Sequence, residues 1–146
     1  MRAVVGVVLG YLMMIAFVFL TFSLAYRVLG ADRAFQPGAY DVTGLWIGVS
    51  FLLAIAAAIL GGYVCESIAR TDGPAKILAL VVLLLGFAFA VPVLTTDSPS
   101  LPREGAVSNT EAMQNARQPA WVAVLNPLFG AVGVLIGAGM RSRSTS

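Results

Sequence analysis

Four stretches of this chain, 3–26, 45–65, 77–94 and 120–140, run for about the thickness of a bilayer with almost no charge. A helix needs roughly 20 apolar residues to cross about 30 Å of hydrocarbon. Each stretch meets or approaches that length. A soluble helix buries one stripe and wets the rest, whereas these segments are apolar all round. They lack the ten-residue alternation of a membrane barrel, so helices are the remaining way to satisfy every backbone group inside lipid. Composition agrees: 59% of the residues are hydrophobic and 11% charged, against about 25% charged in a soluble domain. The expectation is an all-α fold, an integral membrane bundle of four transmembrane helices with both termini on the same side.

The breakers set the boundaries. Spans are expected over about 3–29, 44–70, 74–94 and 119–140, as a single domain over 1–140. A polar loop fills 95–118, and 141–146 reads as a disordered tail. The first stretch is too long for the apolar core of a signal peptide and reads as a retained helix. Gly30, Pro37 and Gly38 break the chain after it, and Thr43 or Asp41 can cap the second span. Thr71-Asp72-Gly73-Pro74 closes the second span and opens the third; glycine suits a left-handed cap and proline a first helical turn. Ser108-Asn109-Thr110-Glu111 matches a capping box and predicts a short helix over about 109–117, with a thin apolar face of Ala112, Met113 and Ala116. Trp46 and Trp121 stand near span ends, as interface anchors do.

Basic residues orient the bundle. Arg2, Arg70, Lys76, Arg141 and Arg143 fall in the short terminal and middle segments; Arg27, Arg33, Arg103 and Arg117 fall in the two longer loops. The denser set is expected in the cytoplasm, which places both termini there. A net charge of +2, scattered, gives no nucleic-acid footprint.

In lipid, helices associate through small residues rather than through hydrophobic drive. Gly6 and Gly10 share a face of the first span, and Gly44 and Gly48 share one of the second. Gly62 continues a line through Phe51, Ile55, Ala58 and Cys65. Gly86 lies in the third span, and Gly130, Gly133 and Gly137 follow Asn126 in the fourth. These glycines are expected at helix contacts inside the bundle, or at a self-association face.

Few residues can carry chemistry. There is no histidine and one cysteine, which removes histidine-based metal, haem and general-base chemistry and any internal disulfide. Cys65 falls among small packing residues and reads as a core filler. Glu66 precedes Arg70 by four residues, the order that favours an ion pair where the helix leaves the membrane. The sharper alternative is that Glu66 faces the bundle and takes a proton or cation. Asn126-Pro127 predicts a kink, with the Asn126 carboxamide bonded to a neighbour. Glu66, Arg70 and Asp72 near one interface match no lipid-enzyme pattern.

GGYVCESIAR, followed by a short basic turn and an Ala/Leu/Val-rich helix, resembles a pattern in small uncharacterised bacterial four-helix integral inner-membrane proteins. It is carried here by Gly61, Gly62, Tyr63, Val64, Ile68 and Ala69. The resemblance implies the four-helix layout and a bacterial cytoplasmic membrane, and it implies no activity. The functional expectation is therefore a multi-pass interaction or scaffold protein, an accessory subunit and not an enzyme, without cofactor or metal. Its partners would be the lipid bilayer, a second copy or another membrane protein. The alternative is a small transporter or channel subunit using Glu66 and Asn126.

Overall fold

The computed structural model describes residues 1–71, 73–96, 99 and 101–143. Asp72, positions 97, 98 and 100 of the polar loop and 144–146 of the tail lie outside the described residues. The elements are α1 (Arg2–Leu29), α2 (Ala31–Ala34), α3 (Gly44–Ala69), α4 (Pro74–Thr95), α5 (Asn109–Asn115) and α6 (Ala120–Arg143). Four of them, α1, α3, α4 and α6, are long and apolar enough to cross a membrane. The chain is an all-α, multi-pass membrane protein.

Backbone contacts at glycine fix the helix directions. A Cβ on Gly6 would sit 2.7 Å from the Cys65 carbonyl oxygen, and one on Gly10 would sit 2.7 Å from that of Gly61. Rising numbers on α1 thus meet falling numbers on α3, so the two are antiparallel. Gly133 packs on Ala58 and Gly137 on the Ile59 carbonyl, so α3 and α6 run parallel. Gly86 packs on Pro127 and Gly130 on Val82, so α4 opposes α6. Both chain ends therefore lie at one end of the bundle. The central pair is α3 with α6; α1 flanks α3, α4 flanks α6, and α1 and α4 touch little. At the terminal end Cys65, Leu78 and Val134 are fully buried in a core shared by α1, α3, α4 and α6.

The opposite end carries a folded cap that the sequence did not announce. Gln36-Pro37-Gly38-Ala39 makes a tight turn: Ala39 N–H donates to the Gln36 carbonyl (3.2 Å), and Gly38 has φ 70°. Proline then glycine at the two central positions is the signature of a type II turn. The turn folds the first loop back, so that Phe35 bridges Val42. The second loop joins it. Arg103 N–H donates to Gly38 O (3.0 Å), Arg117 N–H to Tyr40 O (2.9 Å) and Val42 N–H to Arg117 O (3.0 Å). Under these bonds Tyr26, Ala34, Phe35, Tyr40, Val42 and Ala112 form a second buried cluster, with Trp46 packed against it.

Some sequence expectations need correction. Arg70, not Gly73, takes the left-handed position that ends α3 (φ 57°, ψ 25°), and its N–H donates to Glu66 O (3.0 Å). Gly73, at φ 130°, instead precedes Pro74 at the start of α4. α6 stays helical through Arg143, past the expected end at 140. Arg141 thus stands in its last turn, where the helix dipole favours cations, and a disordered tail does not begin at 141. Gly44 and Gly48 pack on nothing: both are exposed, with no atom within 4 Å of an added Cβ. Repeat spacing selects a face of a helix but cannot say whether another helix covers that face.

Candidate functional site

Where α1 and α4 diverge beneath the cap, a cavity of about 980 Å³ remains. Its wall includes the cap aromatics Tyr26, Phe35 and Trp46. Val18, Phe19 and Phe22 line it from α1, and Pro92 and Val93 from α4. A second cavity of about 400 Å³ lies deeper, between Met14 of α1, Ala57 of α3, Leu85 and Phe89 of α4 and Gly130 of α6. Val18, Ala54, Gln118 and Asn126 border both. The packed core around Leu78, Cys65 and Val134 lies beyond, toward the terminal end. The site is a mostly apolar, half-open cleft of the size that takes small ligands. It is closed toward the terminal end and has polar groups placed sparsely along its length.

The roof is held by specific side-chain bonds and ring contacts. The Tyr26 hydroxyl donates to Val107 O (2.9 Å), and the Asn109 amide donates to Ser23 Oγ (3.0 Å), tying the second loop to the end of α1. Thr43 Oγ1 accepts from Trp46 N–H (3.2 Å), capping α3, and its hydroxyl donates to Arg33 O (2.5 Å). Trp46 meets Phe22 and Tyr26 edge to face at 6.0 and 6.1 Å. It is therefore a half-buried part of the cavity wall rather than a lipid-facing anchor. Trp121 is exposed and stacks on Phe51.

Arg103 is the electrostatic centre of the cap. Its guanidinium donates to Ala39 O (3.3 Å), Gly105 O (2.5 Å) and Asp32 Oδ1 (3.2 Å), and lies 6.0 Å from the Phe35 ring centroid. Its side chain is 4% exposed while that of Asp32 is 92% exposed. Most of the stabilisation therefore comes from the carbonyls and the ring, with the screened ion pair adding little. The Ser108 hydroxyl caps α5 by accepting from Glu111 N–H (3.2 Å). The Glu111 carboxylate does not complete the capping box; it accepts from the Tyr40 hydroxyl at 2.5 Å. That bond, then desolvation and the carboxylate's charge, raise the Tyr40 pKa above its ordinary value.

The three polar residues singled out in the sequence are not brought together. Asn126 lines both cavities and makes no side-chain hydrogen bond among the described residues, instead of bonding to a neighbouring helix. Pro127 does not interrupt α6; it is buried against Gly86. Glu66 lines neither cavity and forms no ion pair with Arg70. Its Oε2 is buried without a hydrogen-bond partner among the described residues, and Arg70 is exposed at the α3 cap. The remaining glycines, Gly6, Gly10, Gly62, Gly86, Gly130, Gly133 and Gly137, all stand at close helix contacts, and so does Gly61.

Sequence reasoning missed Arg117, Gln118 and Asn109 as wall residues. The one signal for them was a polar run just before an apolar helix, which reads equally well as a solvated loop. Compared with protein-family models, with curated proteins and with solved structures, the chain matches none.

Proposed function

We propose that the chain is a non-catalytic accessory protein of the bacterial cytoplasmic membrane, with both termini cytoplasmic, that holds a membrane-derived amphiphile beneath its cap. The observation that carries this is the cavity itself: apolar along α1 and α4, edged with carboxamides, and placed where those two helices part within the membrane-spanning region. The density of arginine and lysine at the terminal end supports the orientation, and the resemblance carried by Gly61 to Ala69 supports the bacterial membrane. The role is binding and presentation to a partner membrane protein or a second copy.

Two experiments test this reading. A photoactivatable lipid incorporated in the host membrane should crosslink to peptides of α1 and α4 that carry Phe19, Phe22 and Val93. Ala54 borders both cavities, so Ala54→Phe should cut that labelling several-fold while the protein still folds. Unchanged labelling in a folded Ala54→Phe protein would remove the cavity from the proposal. Cysteine labelling from the two sides of the membrane tests orientation; an externally reactive cysteine at position 2 would reverse it.

Transport is the second reading, favoured by Asn126 at the junction of the two cavities. It would require α1 and α4 to part around Leu78 at the terminal end, where they now pack. Flux into liposomes that is lost in Asn126→Ala and kept in Glu66→Gln would support it.

A further inference from the structure

We infer that the occupant of this site is an anionic membrane lipid, its headgroup at Arg117 and its acyl chain running past Asn126 into the deeper cavity. The inference rests on the amphiphile reading above and adds the headgroup's charge and the direction in which the lipid lies.

Among the described residues lining either cavity, Arg117 is the one with a charged side chain. The acids around it are otherwise committed or not paired with it. The Glu111 carboxylate accepts from Tyr40, and Asp32 pairs with Arg103. Asp41 shares a backbone bridge with Arg117 but forms no ion pair with it. Arg27 and Arg33 are exposed and line no cavity. Arg117 is half-buried and held in place through its main chain, by the bonds to Tyr40 and Val42. Its side chain is thus available to a ligand without loss of the cap. α6 begins at Ala120, and the positive end of its dipole adds to the field at the same rim.

Polarity falls along the site in the order that a lipid presents. Arg117 stands at the cap end, Gln118 and Asn126 border both chambers, and the deeper chamber is walled by Met14, Leu85 and Phe89. No acidic side chain lines either cavity among the described residues, so a cationic headgroup would find no counter-charge.

The test uses the full chain in nanodiscs containing photoactivatable phosphatidylglycerol or photoactivatable phosphatidylcholine. One arginine near a membrane surface contributes about 1 kcal/mol toward an anionic lipid, so labelling of α1 and α4 should favour phosphatidylglycerol about fivefold. Arg117→Gln should abolish that preference and Arg117→Lys should keep most of it. Arg33→Gln, which removes an exposed cap charge away from the cavities, should leave it unchanged. Equal labelling by both lipids in the unaltered protein would overturn the headgroup inference and leave the amphiphile reading standing. Loss of preference in Arg33→Gln as large as in Arg117→Gln would also overturn it, because general surface charge would then be the cause. Absence of α1 and α4 labelling by either lipid would overturn both. Thermal unfolding of each variant separates a lost site from a lost fold.

Discussion

At the scale of single residues, the cap depends on side chains whose roles are invisible in the sequence. Arg103 reads there as one more loop cation, useful only for orienting the chain. Folded, it satisfies two carbonyls and covers the Phe35 ring. Arg103→Met orphans those acceptors and should cost about 2–3 kcal/mol, whereas Asp32→Asn removes a solvent-screened charge and should cost under about 1 kcal/mol. Thermal unfolding in one detergent ranks them; equal losses would mean that the ion pair matters more than the carbonyls. Arg70 holds a left-handed conformation that costs a non-glycine residue roughly 1 kcal/mol. Arg70→Gly should therefore stabilise the protein by up to about 1 kcal/mol, less the glycine's greater freedom when unfolded. A fall in stability would show that the arginine side chain has a contact that outweighs the backbone. Tyr40 gives the pH dependence. Its folded pKa is raised because the neutral hydroxyl donates to Glu111. That stabilisation is complete below the unfolded tyrosine value near 10 and is lost as pH rises through the folded value. Melting temperature should drop at alkaline pH, and Tyr40→Phe should flatten that limb of the profile.

At the scale of elements, the four spans were legible because membrane thickness dictates an apolar length, and the sequence displays that length directly. Helix contacts were legible where glycine meets backbone. A Cβ on Gly137 would collide with the Ile59 carbonyl, and one on Gly62 with that of Val134. Gly44 and Gly48 have the same spacing as Gly6 and Gly10 but lie on a face of α3 that no helix covers. A contrast between two variants follows. Gly137→Ala should cost about 3 kcal/mol through overpacking. Gly48→Ala should add about 0.5–1 kcal/mol through helix propensity alone. Unfolding in mixed micelles measures both; a harmless Gly137→Ala would mean that α3 and α6 do not rely on that approach. The capping box at Ser108 was legible as a helix start, and α5 does begin at Asn109. The other half of the box was not, because Tyr40, from a loop 71 positions away, takes the Glu111 carboxylate.

At the scale of the whole molecule, the protein is packed at the terminal end and leaves a half-open apolar cleft beneath the cap. The difference follows from residue size. Where α1, α3 and α4 meet, Gly6, Gly10, Cys65 and Ala79 let the backbones close up; toward the cap, α1 and α4 carry the larger Phe19, Phe22, Phe89 and Pro92, which line the cavities. The cap should behave as structure rather than loop. Amides of Ala39, Val42, Arg103 and Arg117 donate to backbone carbonyls and should exchange with deuterium far more slowly than those of Gly105 and Ala106. Uniformly fast exchange would show that the roof opens freely. The sequence by itself determined the membrane, the number of crossings and most of the glycine contacts, since each is fixed by local composition and spacing along one helix. The tertiary structure alone decided that Glu66 and Asn126 stand apart, that Arg103 and Tyr40 lock two distant loops, and that Arg117 edges a cavity. Those facts depend on which segments meet across the bundle, and pairing between segments that are far apart leaves no periodic trace in the chain.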